Sequence, residues 1–424
     1  MQRYAWRTDS VTSEADFFSA IDLVLPTSAD PGRAIADAVA APTWPPFSQG
    51  AVDFISALSN LLLTDARFRQ HPEIIAFAYQ MRRKAVEALA PSLQPTSEGG
   101  LIRGRGLALH FAPANVDTIF LYSLLLSLLA GNANIVRLST KKSVQVDLVI
   151  DAIDSLYGRP EHASLRNRIV LVRYPHDQRL TDALTALCNL RVIWGGDAGI
   201  TAIRRSPLPH LARDIVFPDR WSMAVIDASA FLSAPDAPEL ARLLVNDAYW
   251  FGQMACSSPR LLIWRGEEED CTIAASSMFR EMIKYAAPFA DGLGAIDFVN
   301  KRVFEDSAAI DFDASLHPLT TNILSVLEVP LDQVIVGNYP HVGGGMFLNS
   351  HTRNLNGMSK IMNRKLQTVA SYGVTASEWR DYLAGGEVAG VDRVVPLGSA
   401  LNFSAVWDGL SLMREFSKET TISH

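Results

Sequence analysis

A cysteine in a polar setting is the first candidate for chemistry in this sequence. Cys256 is one of only three cysteines in 424 residues, and it lies in the segment FGQMACSSPRLL, residues 251–262, between a predicted helix and a predicted strand. Loops in such positions often carry reactive groups, whereas most free cysteines are small buried hydrophobes. The residues alone therefore support a nucleophilic and an inert Cys256 about equally.

The other two cysteines are weaker candidates for a nucleophile. Cys188 lies on the apolar face of the predicted helix ALTALCNL, which favours core packing, and Cys271 follows the acidic run RGEEED, which would raise the pKa of a thiol. No CxxC or Cys/His spacing indicates a structural zinc site. Three cysteines cannot form a disulfide framework in a chain of this size, so we expect a reducing, cytoplasmic environment.

Three other places in the sequence could bind an oxyanion or a cofactor. Asn115 lies on a predicted strand-to-helix loop, where its amide could donate to a developing oxyanion, although a turn asparagine without a catalytic role is more common. Arg137 and Ser139 end the predicted strand NIVRLS, and that edge of an open α/β sheet faces the ligand crevice; the alternative for Arg137 is a surface charge. Gly195 and Gly196 separate a predicted strand from a helix, so they either admit a phosphate to the helix N-terminus or only make the turn.

A single histidine, His341, stands in a second glycine-rich segment, PHVGGGMF, residues 340–347. It could carry a proton, but a lone histidine is more often structural. The sequence contains no Ser/His/Asp elbow, HExxH pair or Walker A loop.

The elements that would position these residues alternate between strands and helices. Predicted strands and helices alternate from Gly106 onward, which favours a parallel sheet covered on both faces. A second alternating region begins near Ala228, and its first helix leads to Cys256. Residues 1–50, with the proline cluster APTWPPF, are predicted to form an arm or lid with little regular structure. The length of the chain favours two domains.

The composition argues against several classes of protein. A net charge of −7 gives no general attraction to nucleic acid or to anionic lipid. The longest apolar run, Ile119–Ala130, is too short to cross a bilayer and predicts a buried helix. The N-terminal sequence MQRYAWRTDS does not have the pattern of a signal peptide. We therefore predict neither an integral membrane segment nor a nucleic acid partner.

Six segments, taken in order, resemble the LuxC-type acyl-CoA reductases, a branch of the aldehyde dehydrogenase superfamily. They are ANVDTIFLYSLLLSLLAGNANIVRLS, VIWGGDAGITAIRRSPLP, FPDRWSMAVID, MACSSPRLL, RKLQTVASYG and RVVPLGSALNFSAVWDGL. The resemblance covers roughly residues 100–420, and the order of the segments is more specific than any one of them. It implies an α/β fold like that of the aldehyde dehydrogenases, with two Rossmann-like α/β domains and parallel-rich sheets.

The resemblance implies a division of the chain into four segments. Residues 1–100 would form an N-terminal helical arm and part of the cofactor domain, residues 101–226 the NADP(H)-binding Rossmann-like domain, and residues 227–395 the catalytic domain. Residues 396–424 would supply a C-terminal strand and helix that return to the cofactor domain or to an oligomer interface.

The resemblance also implies catalytic roles. Cys256 would be the nucleophile, and Asn115 would donate to the oxyanion. Hydrolytic aldehyde dehydrogenases carry a water-activating glutamate in an ELGG-like block, whereas the corresponding block here is FPDRWS, with Asp219 and Arg220. The lack of that base fits an enzyme that passes an acyl group between thiols without hydrolysing it, and it leaves the role of Asp219 open.

The cofactor would be bound by the first domain. The resemblance implies that Arg137 and Ser139 contact the ribose or its 2′-phosphate, and that Gly195 and Gly196 lie beneath the cofactor. A fixed guanidinium suits a 2′-phosphate, so NADPH is expected, with NADH as the alternative. No metal is expected.

The implied activity is the NADPH-dependent reduction of an acyl thioester, either fatty acyl-CoA or an acyl-carrier protein, to the aldehyde through an acyl-cysteine intermediate. Local dipoles are expected to lower the pKa of the Cys256 thiol. The alternatives are an NAD(P)-dependent aldehyde dehydrogenase and a non-reducing acyl-transfer subunit. A homo-oligomer is expected, and an acyl-transfer or synthetase partner would fit the activity; the acyl chain and its donor are left open.

Overall fold

The computed structural model describes residues 18–422 except 28, 97, 114–118, 335–340 and 387, and the statements below concern these residues. The chain divides into two compact units. Unit 1 comprises Met1–Pro218 and Leu410–His424, and unit 2 comprises Asp219–Gly409. The sequence-based division between residues 226 and 227 falls inside the first strand of unit 2.

Unit 1 is built on a six-stranded sheet. The first seven strands of the chain are β1 (Asp22–Leu25), β2 (Leu101–Gly104), β3 (Leu107–Phe111), β4 (Ala133–Arg137), β5 (Ile169–Arg173), β6 (Leu190–Trp194) and β7 (Arg213–Phe217). All of them except β2 belong to this sheet. The sheet has the order β1-β5-β4-β3-β6-β7. β1 runs antiparallel to β5, and every other pair in the sheet is parallel.

The helices of unit 1 pack against this sheet or against one another. They are α1 (Pro31–Ala40), α2 (Gln49–Thr64), α3 (Pro72–Gln80), α4 (Arg83–Glu87), α5 (Ile119–Leu129), α6 (Val144–Tyr157), α7 (Gln178–Leu187) and α8 (Asp197–Arg204). β3 and β6 are buried at every position, as their largely apolar sequences favour, and the burial includes His110 and Arg191. α5 is also buried along its whole length, which confirms the buried helix predicted from the apolar run.

The prediction of little regular structure in residues 1–50 is wrong for the described part of that segment. β1 pairs with β5 at the edge of the sheet, and α1 follows it. Asp30 caps α1 by accepting a hydrogen bond from the Arg33 N–H at 3.0 Å, and Pro31 occupies the first helical position. Leu25 and Ile35 are buried, so this segment belongs to the body of unit 1.

Unit 2 contains a second parallel-rich sheet. Its strands are β8 (Trp221–Asp227), β9 (Pro259–Arg265), β10 (Ser315–Leu316), β11 (Ser325–Glu328), β12 (Met346–Thr352), β13 (Leu366–Tyr372) and β14 (Arg393–Pro396). They take the order β10-β11-β12-β9-β8-β13-β14. Only β10 and β11 pair in antiparallel fashion among these strands. Two parallel-rich sheets with packed helices confirm the predicted fold class.

The helices of unit 2 and the last elements of the chain complete the fold. The helices are α9 (Ala228–Leu232), α10 (Ala237–Tyr249), α11 (Glu268–Ala286), α12 (Ala295–Asp311) and α13 (Ala376–Ala384). The last elements are β15 (Val406–Trp407), β16 (Leu410–Ser411), α14 (Leu412–Glu415) and β17 (Ser417–Thr420). Within unit 1, β17 pairs antiparallel with β2.

One predicted strand of unit 2 is not observed as such. The segment LDQVIVGN, residues 331–338, begins with a 3₁₀ turn at Leu331–Gln333, and residues 335–338 lie outside the described part. The observed strands β11 and β12 were not anticipated. Within the described part of the chain, no helix has both the length and the apolar character needed to cross a bilayer.

Candidate active site

The segment that carries Cys256 has an unusual backbone. A 3₁₀ turn follows α10 and leads towards the cysteine, and we call residues 250–258 the nucleophile loop. Phe251, Gly252 and Gln253 all have left-handed conformations, with φ angles of 56°, 59° and 65°. Two of the three are not glycine, and each such residue costs on the order of 1–3 kcal/mol. The surrounding structure must therefore hold the loop in place.

The buried side chain of Gln253 provides much of that support. Its Nε2 donates to the carbonyl oxygens of Pro259 and Met346, both at 2.9 Å. Its Oε1 accepts hydrogen bonds from the N–H groups of Gly345 and Met346, both at 3.0 Å. All four hydrogen-bonding positions of the amide are thus used. Gln253 ties the nucleophile loop to β9 on one side and to β12 on the other.

A second loop, residues 341–345, packs against the nucleophile loop, and we call it the glycine loop. The N–H of Gly344 donates to the carbonyl oxygen of Gly252 at 3.0 Å. Gly343 has a left-handed φ of 67°, and a Cβ at this position would lie 2.4 Å from the same carbonyl oxygen. Only glycine fits there, because any side chain would push the two loops apart.

His341, at the start of the glycine loop, is a neutral contact of the nucleophile loop. Its Nε2 lies 2.8 Å from the carbonyl oxygen of Gln253, and a carbonyl can only accept, so Nε2 carries the proton. Burial, followed by the cation of Arg260, lowers the pKa of His341 to about 3. The imidazole is therefore neutral at neutral pH and fixes the backbone of Gln253. Its suggested role as a proton carrier stays a prediction.

The backbone of Cys256 is anchored to β8. Ser222 Oγ donates to the carbonyl oxygen of Cys256 at 2.7 Å, and it accepts from the N–H of Thr368 at 3.2 Å. Ser222 is fully buried, whereas Cys256 is partly exposed. The main chain of Cys256 is therefore held in a rigid frame, while the residue as a whole stays partly exposed.

Charged groups of unit 2 surround the thiol. Burial raises the pKa of Cys256, and the carboxylates of Asp219 and Asp408 raise it further. The backbone N–H of Arg220 and the guanidinium of Arg260 act in the opposite direction. The expectation of a lowered thiol pKa is therefore wrong for the protein without ligands, because the cost of burying the thiolate exceeds the gain from its partners.

The side chain of Arg220 is committed to structural contacts. Its guanidinium forms an ion pair with Asp392, lies 3.5 Å from Asp408 and donates to the carbonyl oxygen of Leu366 at 2.8 Å. Asp408 also accepts a hydrogen bond from Gln367 at 2.5 Å, and burial raises the pKa of its carboxyl group. The segment FPDRWS thus contributes an arginine that holds the frame of the site.

The remaining cysteines are buried and inert. Cys188 lies in the core of unit 1, where burial raises its pKa to about 12. Cys271 lies in the core of unit 2, where burial, followed by the charge of Asp270, raises its pKa to about 11. Both agree with the sequence analysis. In the ranges that the structure describes, no cluster of three or more His, Cys, Asp or Glu side chains could hold a metal ion.

The candidate cofactor residues at the end of β4 are held in place. The guanidinium of Arg137 donates to the carbonyl oxygen of Tyr174 at 3.1 Å and lies 5.3 Å from the centre of the same residue's ring. Burial lowers the pKa of Arg137. The hydroxyl of Ser139 accepts a hydrogen bond from the N–H of Lys141 at 3.1 Å. Asn115, the predicted oxyanion donor, lies outside the described residues.

Gly195 and Gly196 lie where a dinucleotide would be expected. The chain passes from β3 through β4 to β5 on one side of β3, and then returns to β6 on its other side. The carboxyl ends of β3 and β6 therefore flank the switch point, where ligands of open α/β sheets bind. Gly195 and Gly196 join β6 to α8, and a Cβ at either one would meet no atom within 4 Å. This open space at a helix N-terminus fits a diphosphate.

Four residues described above in the Cys256 site were not assigned from the sequence: Ser222, Gln253, Arg260 and Asp408. Gln253 and Arg260 lie three residues before and four residues after Cys256. This closeness in sequence to the candidate nucleophile is the signal that could have identified them. Asp408 is far away in sequence and is brought near the thiol only by the fold.

Comparison with solved structures defines the class of this fold. Proline utilization A from Bradyrhizobium japonicum superposes with a TM-score of 0.62 at 17% identity, and the match covers 92% of this chain and 44% of that one, so this chain spans less than half of that relative. The 1-pyrroline-5-carboxylate dehydrogenase from Thermus with bound NAD gives a TM-score of 0.63 at 13% identity, with coverages of 92% and 83%. An NAD-dependent benzaldehyde dehydrogenase from Corynebacterium glutamicum gives a TM-score of 0.60 at 13% identity, and the match covers 91% of this chain and 86% of that one. The fold is that of the aldehyde dehydrogenases.

The sequence comparison then narrows the class. Residues 94–288 match the model of the acyl-CoA reductase (LuxC) family, and this range contains Arg137, Gly195, Gly196 and Cys256. The match confirms the resemblance found in the sequence segments. No curated protein sequence is significantly similar to the chain. Fold and family match together support an oxidoreductase that acts on acyl groups or aldehydes.

Proposed function

We propose that this protein reduces an acyl thioester to the aldehyde, with NADPH as reductant and Cys256 as the nucleophile. The observation that carries the proposal is the setting of Cys256 in unit 2. It is a partly exposed thiol on a rigid, strained loop next to a buried cation, whereas the other two cysteines are buried and have strongly raised pKa values. The match to the acyl-CoA reductase family supports the same chemistry.

In the proposed acylation, the thiolate of Cys256 adds to the carbonyl carbon of the thioester. Collapse of the tetrahedral adduct breaks the bond to the departing thiol, coenzyme A or a carrier-protein thiol, which leaves as a thiolate and takes up a proton. The amide of Asn115 and the N–H of Cys256 are proposed to hold the oxyanion, and one such donor is typically worth ~3 kcal/mol. The hydrogen bond from Ser222 keeps the Cys256 backbone in place during this step.

The reduction step requires a dinucleotide in unit 1. NADPH, when bound, would supply the hydride to the acyl carbon. Gly195 and Gly196 would admit its diphosphate, because the space above them is open. Arg137 and Ser139 would face its ribose or 2′-phosphate. The hydrogen bond to Tyr174 keeps the Arg137 guanidinium fixed, and a fixed cation favours a 2′-phosphate. Equal catalytic efficiency with NADPH and NADH would contradict this preference.

Release of the aldehyde requires only that its bond to the Cys256 sulfur is broken. Breaking the C–S bond of the Cys256 thiohemiacetal frees the aldehyde and regenerates the thiolate. The positive charge of Arg260, which acts on the sulfur, would favour the leaving thiolate. No water has to attack the acyl group in this sequence.

The proposal is tested by weighing the intact protein after incubation with a long-chain acyl-CoA in the absence of NADPH. One acyl group per chain is expected, mapped to Cys256 by peptide analysis. Cys256→Ala should abolish the adduct, whereas the matched variant Cys188→Ala should retain it. An adduct that persists in Cys256→Ala would exclude Cys256 as the acyl carrier.

A second candidate function is the oxidation of an aldehyde to the free acid. The observation in its favour is the exposed carboxylate of Asp219, whose charge acts on the Cys256 thiol and which could activate a water molecule. Incubation of the protein with an aldehyde and NADP⁺ or NAD⁺, without any added thiol, separates the two. Free acid as the product would favour oxidation, and an acyl-enzyme that accumulates until coenzyme A is added would favour the reductase.

A further inference from the structure

Arg260 is a largely buried cation with an incomplete set of partners. Its Nε is buried and finds no hydrogen-bond acceptor in the portion of the chain that the structure describes. Burial lowers the pKa of the guanidinium, and the negative charges of Cys256 and Asp219 raise it. A buried N–H of a cation without an acceptor is unfavourable, so a nearby anion would be favoured. Asp219 is exposed, which leaves the thiolate of Cys256 as the anion inside the site.

The fold holds Arg260 and Cys256 in a fixed relation. β9 begins at Pro259, which is paired with Ser222 of β8. The hydroxyl of the same Ser222 donates to the carbonyl oxygen of Cys256 at 2.7 Å. Gln253 adds a second link through its hydrogen bond to the Pro259 carbonyl at 2.9 Å. The residue that follows Pro259 is Arg260, so its backbone and that of the cysteine are tied to common anchors.

The other groups around the thiol do not replace Arg260. Asp219 and Asp408 are anions and disfavour the thiolate. Arg220 acts on the thiol through its backbone N–H, and its side chain is paired with Asp392. His341 is neutral and donates its Nε2 proton to the Gln253 carbonyl. Arg260 is therefore the side-chain cation that favours the thiolate in this site.

We propose that Arg260 is a positioning residue whose guanidinium stabilises the thiolate of Cys256 and so extends to lower pH the range in which this cysteine is nucleophilic. The inference rests on the proposed function only for the choice of Cys256 as the nucleophile. It makes no assumption about the acyl substrate or the cofactor.

The test is the rate at which iodoacetamide alkylates Cys256, followed by peptide mass spectrometry across a range of pH in the full-length protein. Thiolate is the form that reacts, so the pH profile reports its formation directly. The variants are Arg260→Met, which removes the charge, and Arg260→Lys, which keeps it. The matched control is Arg265→Met on the same strand, since Arg265 pairs with Asp227 and Glu378 about 17 Å further along β9.

Arg260→Met is expected to slow alkylation about 10-fold at pH 7, as the loss of a nearby opposite charge does, and to reach the wild-type rate at high pH. Arg260→Lys and Arg265→Met are expected to keep the wild-type profile. An unchanged pH profile in Arg260→Met would overturn the proposal. An alkylation rate lowered equally at every pH would also overturn it, because such a change indicates only altered access of the reagent to the thiol. Arg260→Gln, which keeps polar contacts without the charge, serves as the second charge-removing variant if Arg260→Met does not fold, and the same outcomes apply.

The test separates this inference from the proposed function. Alkylation requires neither an acyl thioester nor NADPH. A shifted profile together with no acyl adduct would leave the inference standing and remove the proposed function. An acyl adduct together with an unchanged alkylation profile would remove the inference about Arg260 and leave the proposed function standing.

Discussion

Replacing Gln253 with leucine tests whether this buried amide holds the nucleophile loop in its strained conformation. Leucine has a similar volume but removes all four hydrogen bonds of the amide. The Met346 N–H keeps a second acceptor, the carbonyl oxygen of Gly343 at 3.1 Å. The Gly345 N–H and the carbonyl oxygens of Pro259 and Met346 lose this partner. At the lower end of about 1–3 kcal/mol for each buried group left unpaired, these three groups give a loss of about 3 kcal/mol. That is a large fraction of the stability of an ordinary domain.

The assay is urea unfolding combined with hydrogen exchange of the peptide that contains Gly345 and Met346. Gln253→Leu should lower the unfolding midpoint and speed exchange in this peptide, because the amide no longer holds the N–H groups of the two residues. The matched control is Gln49→Leu at the exposed start of α2, where one hydrogen bond to Asp53 at 2.8 Å is lost and little change is expected. Similar midpoints and exchange rates in both variants would refute the view that Gln253 anchors the loop.

Three further predictions address the cofactor site, the core of unit 1 and the oxyanion. Gly195→Ala should leave the Tm unchanged and weaken NADPH binding about 10-fold, because its methyl group enters the open space above β6; an unchanged Kd in a fluorescence titration would contradict this. His110 is buried with its pKa lowered to about 4 from 6.5 by burial, so the unfolded state binds more protons between these values and stability falls as pH falls. At pH 5 the free energy of unfolding contributed by His110 is lower by about 2 kcal/mol. Urea unfolding of His110→Gln should therefore depend less on acid pH than that of the wild type, and an equal dependence in both proteins would contradict this role of His110. Asn115→Ala should lower turnover about 10²-fold while NADPH binding is retained, and unchanged turnover would remove Asn115 from the mechanism.

Much of the framework could be predicted from the sequence because local patterns determine it. The buried strands β3, β4, β5 and β6 are short, mostly apolar segments, and segments of this kind are typical of the buried strands of a parallel sheet. The buried helix α5 follows from its uninterrupted apolar residues. By contrast, α1 was missed because the prolines after it dominated the interpretation, although Asp30 followed by Pro31 is a helix-start signal.

The electrostatics of the site could not be predicted from the sequence. Whether the pKa of Cys256 is raised or lowered depends on how deeply the thiol is buried and on Asp408, which only the fold brings near. The commitment of Arg220 to Asp392 likewise joins distant parts of the chain. The strained turn at Phe251, Gly252 and Gln253 also could not be predicted from the sequence, because phenylalanine and glutamine ordinarily avoid the left-handed region.

The most direct test of the central claim is a single turnover from the isolated acyl-enzyme. The protein would be loaded with a long-chain acyl-CoA, freed of excess substrate and mixed with NADPH, while intact mass and released products are followed together. One acyl group on Cys256 is expected, and it should disappear as one equivalent of aldehyde forms and one equivalent of NADPH is oxidised. Loss of the acyl group as a carboxylic acid, or its retention in the presence of NADPH, would contradict it.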